Sequence, residues 1–119
     1  MKKFYFLSTC STCKNIIAAL NLDASVTFQD IKSKPLTAEQ LDALKKLAGS
    51  YEALFSKRAQ LYKTKNLKDQ TLSETDYKKY LLEHYTFLKR PVLVYDDQIF
   101  IGNSKKTVEA ATAFIRSHE

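Results

Sequence analysis

Cys10 and Cys13 are the only two cysteines in 119 residues, and two residues separate them in the stretch STCSTCKN. Four kinds of chemistry fit such a pair: a metal site, a structural disulfide, two inert core residues, or a reactive thiol with a neighbour. A structural zinc takes four ligands as a rule. Here the cysteines are joined only by His84 and His118, which lack any paired spacing, so no metal is expected. A stapling disulfide would close a very small loop and belongs to an oxidising compartment. No run has the length of a membrane span or the layout of a secretory leader. The expected location is therefore cytoplasmic, where thiols are kept reduced. Cys13 does suit a core, because Cys13, Ile16, Ile17 and Leu20 recur at helical spacing. Cys10 does not; it falls in the turn between the apolar run KFYFL and that helix.

That position has chemical consequences. The first turn of a helix leaves N–H groups unpaired, and its dipole favours negative charge. A thiolate there has its pKa lowered from about 8.5 into the range of roughly 3.5–7.5. The same N–H groups cradle a bound oxyanion. Cys10 is thus the candidate nucleophile. Ser11 or Thr12 is expected to cap the helix, and both belong to the turn that would face an anion.

The elements that must hold this turn are readable around it. KFYFL suits a buried strand, and SVTFQDI suits a second, with Val26 and Phe28 as its apolar positions, which gives β-α-β in the first thirty residues. In the middle, Thr37 and Gln40 have the spacing of a capping box ahead of a stripe of Leu41, Leu44, Leu47 and Ala48 that ends at Gly49. A second helical stretch is expected from near Tyr51, and Ser73 should cap a third. PVLVY and QIFI read as strands joined at Asp96-Asp97. After Gly102-Asn103-Ser104, a closing helix places Val108, Ala111, Thr112 and Ile115 on one face. The fold class is α/β, with a mixed sheet because a β-α-β unit is parallel and a hairpin antiparallel. The order β-α-β, helical block, β-β-α is that of a thioredoxin-like fold with a helical insertion. The expected division is a single domain over 1–119, with the core at about 1–34 and 86–119 and the insertion at about 35–85.

Charge adds little. The net charge is +6, but the 19 basic residues are spread along the chain, and the densest region, residues 57–70, is interrupted by Leu61, Tyr62 and Leu67. Such a face attracts anions without being a dedicated nucleic-acid surface.

The chain resembles the arsenate reductase-like (ArsC/Spx) family of the thioredoxin superfamily. STCSTCKN resembles its catalytic loop, with Cys10 at the nucleophile position. FSKRAQLYK, residues 55–63, resembles its R-x-x-x-[YF] segment, and FLKRPVLVYDDQIFIGNSKK, residues 87–106, its R-P-[IV] strand and hairpin. The resemblance implies that Arg58 and Arg90 bind an oxyanion and that Pro91 follows a cis peptide bond. It implies no resident cofactor, a small oxyanion or thiol as substrate, and glutathione with glutaredoxin, or thioredoxin, as electron donor to a monomer. Two positions depart from the arsenate reductases. Asn103 stands where they carry a third arginine, and Cys13 supplies a CxxC like that of the Spx regulators, so it could resolve an adduct on Cys10. Two readings stay open: a thiol-dependent oxidoreductase, and an Spx-like redox regulator that binds RNA polymerase. Tyr62 is read only as an aromatic of the insertion core.

Overall fold

The computed structural model of the chain describes residues 2–118. Its elements are β1 (Lys2–Phe6), α1 (Ser11–Leu20), β2 (Thr27–Asp30), α2 (Ala38–Ala48), α3 (Gln60–Thr64), α4 (Glu74–Glu83), β3 (Val92–Tyr95), β4 (Gln98–Ile101) and α5 (Lys105–Ser117). Short 3-10 turns lie at Glu52–Leu54, Leu67–Asp69 and Tyr85–Phe87. They form two compact units: residues 2–34 with 90–118, and Pro35–Lys89.

The first unit is a four-stranded mixed sheet in the order β2-β1-β3-β4. β1 runs parallel to β2 and antiparallel to β3, and β3 pairs antiparallel with β4. The register sets Phe4 beside Phe28 on one side and Leu93 on the other, and Leu93 beside Phe100. Strand side chains alternate between faces, so Leu93 and Tyr95 look the same way. Against that face α1 lays Ile16 and Leu20, and α5 lays Ala111 and Ile115. Each large side chain buried there contributes about 1.5–3 kcal/mol relative to exposure. A two-residue loop with Asp96 in the left-handed region closes the hairpin. Gly102 follows β4 at φ 92, a conformation that L side chains rarely adopt.

β2 differs from its sequence pattern. Val26 is buried but just precedes the strand, and Phe28 is 43% exposed while Gln29 is 4% exposed. The cause is β2's place at the sheet edge, where Phe28 meets Phe4 and Phe6 from one side only. Gln29 is tolerated inside because its amide donates to the Lys34 carbonyl (2.9 Å).

In the second unit, Thr37 and Gln40 close a capping box on α2, and Gly49 at φ 97 ends it. Ser73 and Asp76 form the corresponding box on α4. The expected helix from Tyr51 is replaced by a single 3-10 turn. The chain becomes extended at Phe55, which bridges Leu88, with Ser56 N donating to Phe87 O (2.7 Å) and Lys89 N to Leu54 O (2.9 Å). These pairings take backbone groups that a continuous helix would have used. Phe55 stacks on Phe87, and Tyr77 and Tyr62 meet it edge-on.

Candidate functional site

The site is built at the exit of β1. Residues 7–10 link that strand to α1, and Cys10 N donates to Leu7 O (3.0 Å) to close a tight turn. Cys10 itself, not Ser11 or Thr12, is the residue at the helix N-cap, with extended backbone (φ −91, ψ 110). Its carbonyl accepts from Lys14 N (3.2 Å), the first bond of the helix. Ser11 and Thr12 are instead the first two helical residues, both exposed. The sequence favoured a hydroxyl at the cap because Ser and Thr are common there. The turn closed by Leu7 brings the thiol to that position one residue earlier.

Cys10 is half-buried and Cys13 fully buried; both are free thiols. The Cys10 sulfur closes no regular capping hydrogen bond. Burial is the largest influence on it and would raise its pKa. The Cys13 N–H, the Cys13 thiol, the Thr12 N–H and the Arg90 charge together outweigh burial and hold the Cys10 thiol below its ordinary value. Burial pushes Cys13 the other way, up to about 11. The neighbouring Cys10 adds to that rise, against a backbone hydrogen bond with Leu7 and the pull of Arg90. Two thiols one helical turn apart are thus driven in opposite directions. One is prepared to ionise and the other to stay protonated.

Arg90 lies two residues ahead of β3, and the Arg90–Pro91 peptide is cis. Pro91 is buried, and its carbonyl accepts from Gly102 N (2.8 Å), which extends the β3–β4 ladder by one bond. The Arg90 Nη1 is buried and has no hydrogen-bond partner among the described residues. An unsatisfied buried donor costs about 1–3 kcal/mol, more when it is charged. Its charge acts on both cysteines. Cys10, Thr12, Cys13 and Arg90 are therefore brought together. Asn103 is exposed between Gly102 and Ser104, the N-cap of α5. Arg58 belongs to the second unit, exposed in the turn ahead of α3. Pro91 and Gly102 also line a shallow apolar cleft with Phe4, Leu93 and Phe100. No charged side chain lines that cleft, so it is not where an anion would be held.

One pair at the site was not anticipated. Ser8, in the turn before Cys10, donates through Oγ to Asp30 Oδ2 (2.7 Å) at the end of β2. No spacing in the sequence marks this contact, which joins residues 22 apart through the parallel pairing of β1 and β2. Among the described residues no group of three or more His, Cys, Asp or Glu side chains gathers to hold a metal. No described helix is long and apolar enough to cross a membrane.

A model of the ArsC family matches residues 5–111. The chain is 26% identical over 105 residues to the global transcriptional regulator Spx 2 of Bacillus anthracis, covering 86% of this chain and 79% of that one. It superposes on the arsenate reductase from Vibrio cholerae with a TM-score of 0.76 at 23% identity, covering 94% and 95% of the two chains. An arsenate reductase (ArsC) related protein from Brucella melitensis gives 0.70 at 24% identity, with 92% of each chain covered. At these identities the two structures speak to the fold: the mixed sheet and its helices form the thioredoxin-like fold of these proteins.

Proposed function

The chain belongs to the ArsC family, and from that premise we propose that it is a thiol-dependent oxidoreductase in which Cys10 attacks an oxyanion or an oxidised thiol. One observation carries this reading: a half-buried thiol at a helix N-cap, held below its ordinary pKa beside an arginine with a buried, unpartnered nitrogen. An oxyanion oxygen would satisfy that nitrogen, and the guanidinium would offset its charge. The family resemblance makes Arg58 a second anion-binding arginine; in this reading the N–H groups of Ser11 and Thr12, the backbone at Pro91 and the Asn103 amide complete the site at Arg90.

With arsenate the step balances as follows. The Cys10 sulfur bonds to arsenic, and one arsenate oxygen leaves as water with two protons. A second thiol then attacks Cys10 Sγ, and the S–As bond breaks with its electron pair left on arsenic. Arsenate has become arsenite and two thiols a disulfide. Cys13 supplies the second thiol when the reaction resolves internally. Otherwise glutathione does so, with glutaredoxin or thioredoxin restoring the enzyme, and no cofactor resides in the chain. The reading places a monomer in the cytoplasm. Asn103, neutral where arsenate reductases carry a cation, makes for modest oxyanion affinity.

The Cys10–Cys13 pair also favours a second reading, an Spx-like redox switch whose partner is RNA polymerase, for which the Spx 2 likeness is the support. Titration of both thiols, with arsenate reduction assayed with and without glutathione and glutaredoxin, separates the two. Arsenite release that depends on Cys10 is the expected result. A lowered Cys10 pKa with no reduction under any donor, and redox-dependent retention by RNA polymerase, would move the chain to the second reading.

A further inference from the structure

We infer that Asp30 is a positioning residue for the reactive cysteine: its carboxylate, bonded to Ser8, fixes the 7–10 turn that sets Cys10 at the mouth of α1. The inference rests on the reading of Cys10 as the nucleophile. Only four residues separate β1 from α1, so the setting of Cys10 depends on how that link is held. At one end, Ile31 N donates to Phe6 O (2.9 Å), which continues the β1–β2 pairing to the edge of the turn. At the other, Cys10 N is bonded to Leu7 O (3.0 Å). Between them the tie to the rest of the sheet is Asp30. Oδ2 accepts from Ser8 Oγ at 2.7 Å, a charge-assisted distance. Oδ1 accepts from Lys32 N (3.2 Å) and, more weakly, from Ser8 N (3.4 Å). The backbone of Asp30 is held as well, because its carbonyl accepts from Lys34 N (2.9 Å). The carboxylate is thus a fixed post, and Ser8 is the point of the turn fastened to it.

The sign of the effect separates positioning from simple electrostatics. A carboxylate near a thiolate is a like charge and favours the neutral thiol. If Asp30 acted only through its charge, removing it would lower the Cys10 pKa. If it acts by holding the turn, removing it loosens Cys10 from the helix N–H groups and the Cys10 pKa rises.

The test measures the Cys10 pKa by thiolate ultraviolet absorbance and by the pH profile of iodoacetamide labelling, in the wild type, Ser8→Ala, Asp30→Ala and the double variant. Both single variants should raise the Cys10 pKa by about one unit, which lowers thiolate-dependent labelling by up to about tenfold at a pH below the pKa. The double variant should add nothing beyond the larger single effect, because both remove one hydrogen bond. Ser8→Ala leaves the Asp30 charge and its bond to Lys32 in place, so it decides the matter if Asp30→Ala does not fold. A Cys10 pKa that falls in Asp30→Ala, or stays put in Ser8→Ala, overturns the inference. An ordinary Cys10 pKa in the wild type would sink the nucleophile reading and this one with it. A lowered wild-type value that neither variant moves would sink this one alone.

Discussion

The two cysteines differ in what surrounds their sulfurs, and that difference is measurable. At neutral pH, limiting iodoacetamide should label Cys10 well ahead of Cys13, as peptide mass mapping would report, because Cys10 is half-buried with a lowered pKa and Cys13 is buried. Cys13 should react only as the pH climbs toward about 11. Preferential labelling of Cys13 would reverse the roles assigned to the pair. Arg90→Ala removes a charge that favours the Cys10 thiolate, so the Cys10 pKa should rise and labelling at neutral pH should slow severalfold. Sulfate or phosphate should slow labelling of the wild type by occupying the arginine, and this protection should weaken in the variant. A wild-type rate indifferent to both anions would remove the anion site from the mechanism. Cys10 was legible as the residue to watch because its position relative to a strand and a helix is a local property of the sequence. The Arg90 nitrogen with no partner and the Ser8–Asp30 bond were not, since both arise only after distant segments pair.

At the scale of elements, the best-read features were those with a local chemical signature. Thr37 with Gln40 and Ser73 with Asp76 form two-way capping boxes, and Thr37→Ala or Ser73→Ala should each cost about 1 kcal/mol. Denaturant midpoints would show it, and a change within a few tenths would mean that packing alone holds α2 or α4. The hairpin at Asp96-Asp97 and the helix after Ser104 were legible for the same reason. The stretch after Tyr51 was not. It has the apolar content of a helix, yet Phe55 is drawn into a bridge with Leu88, and an interaction between residues so far apart leaves no period to read. β2 was found as a strand, but its apolar alternation pointed Phe28 inward, whereas only the sheet order reveals that this strand is an edge.

At the scale of the molecule, mild oxidant should join Cys10 to Cys13 within one chain. Non-reducing gels should then show a monomer lacking two free thiols, and chiefly cross-linked dimers would remove Cys13 as the resolving thiol. Alkaline pH should weaken the fold by a route that Cys13 makes specific. Its folded-state pKa is raised to about 11, whereas an unfolded thiol ionises near 8.5. The Cys13 contribution is therefore intact below about 8.5 and is lost as the pH rises toward about 11. Melting curves of the wild type and Cys13→Ser should converge across that window, and parallel curves would mean that burial does not hold the proton on Cys13. Leu93→Ala, in the centre of the sheet, should cost about 2–5 kcal/mol by leaving a cavity beside Phe4. The split of the first unit between residues 2–34 and 90–118 also sets an order of events on the ribosome. Chains emerge from the N-terminus, so Pro35–Lys89 is available as a continuous stretch while β1 still waits for its antiparallel neighbour. Arg90 and β3 follow only after that stretch. Until they do, the nascent Cys10 has neither the finished sheet behind its turn nor the arginine charge beside it. The lowered pKa of Cys10 is a property that the chain acquires only once its own later segments have been made.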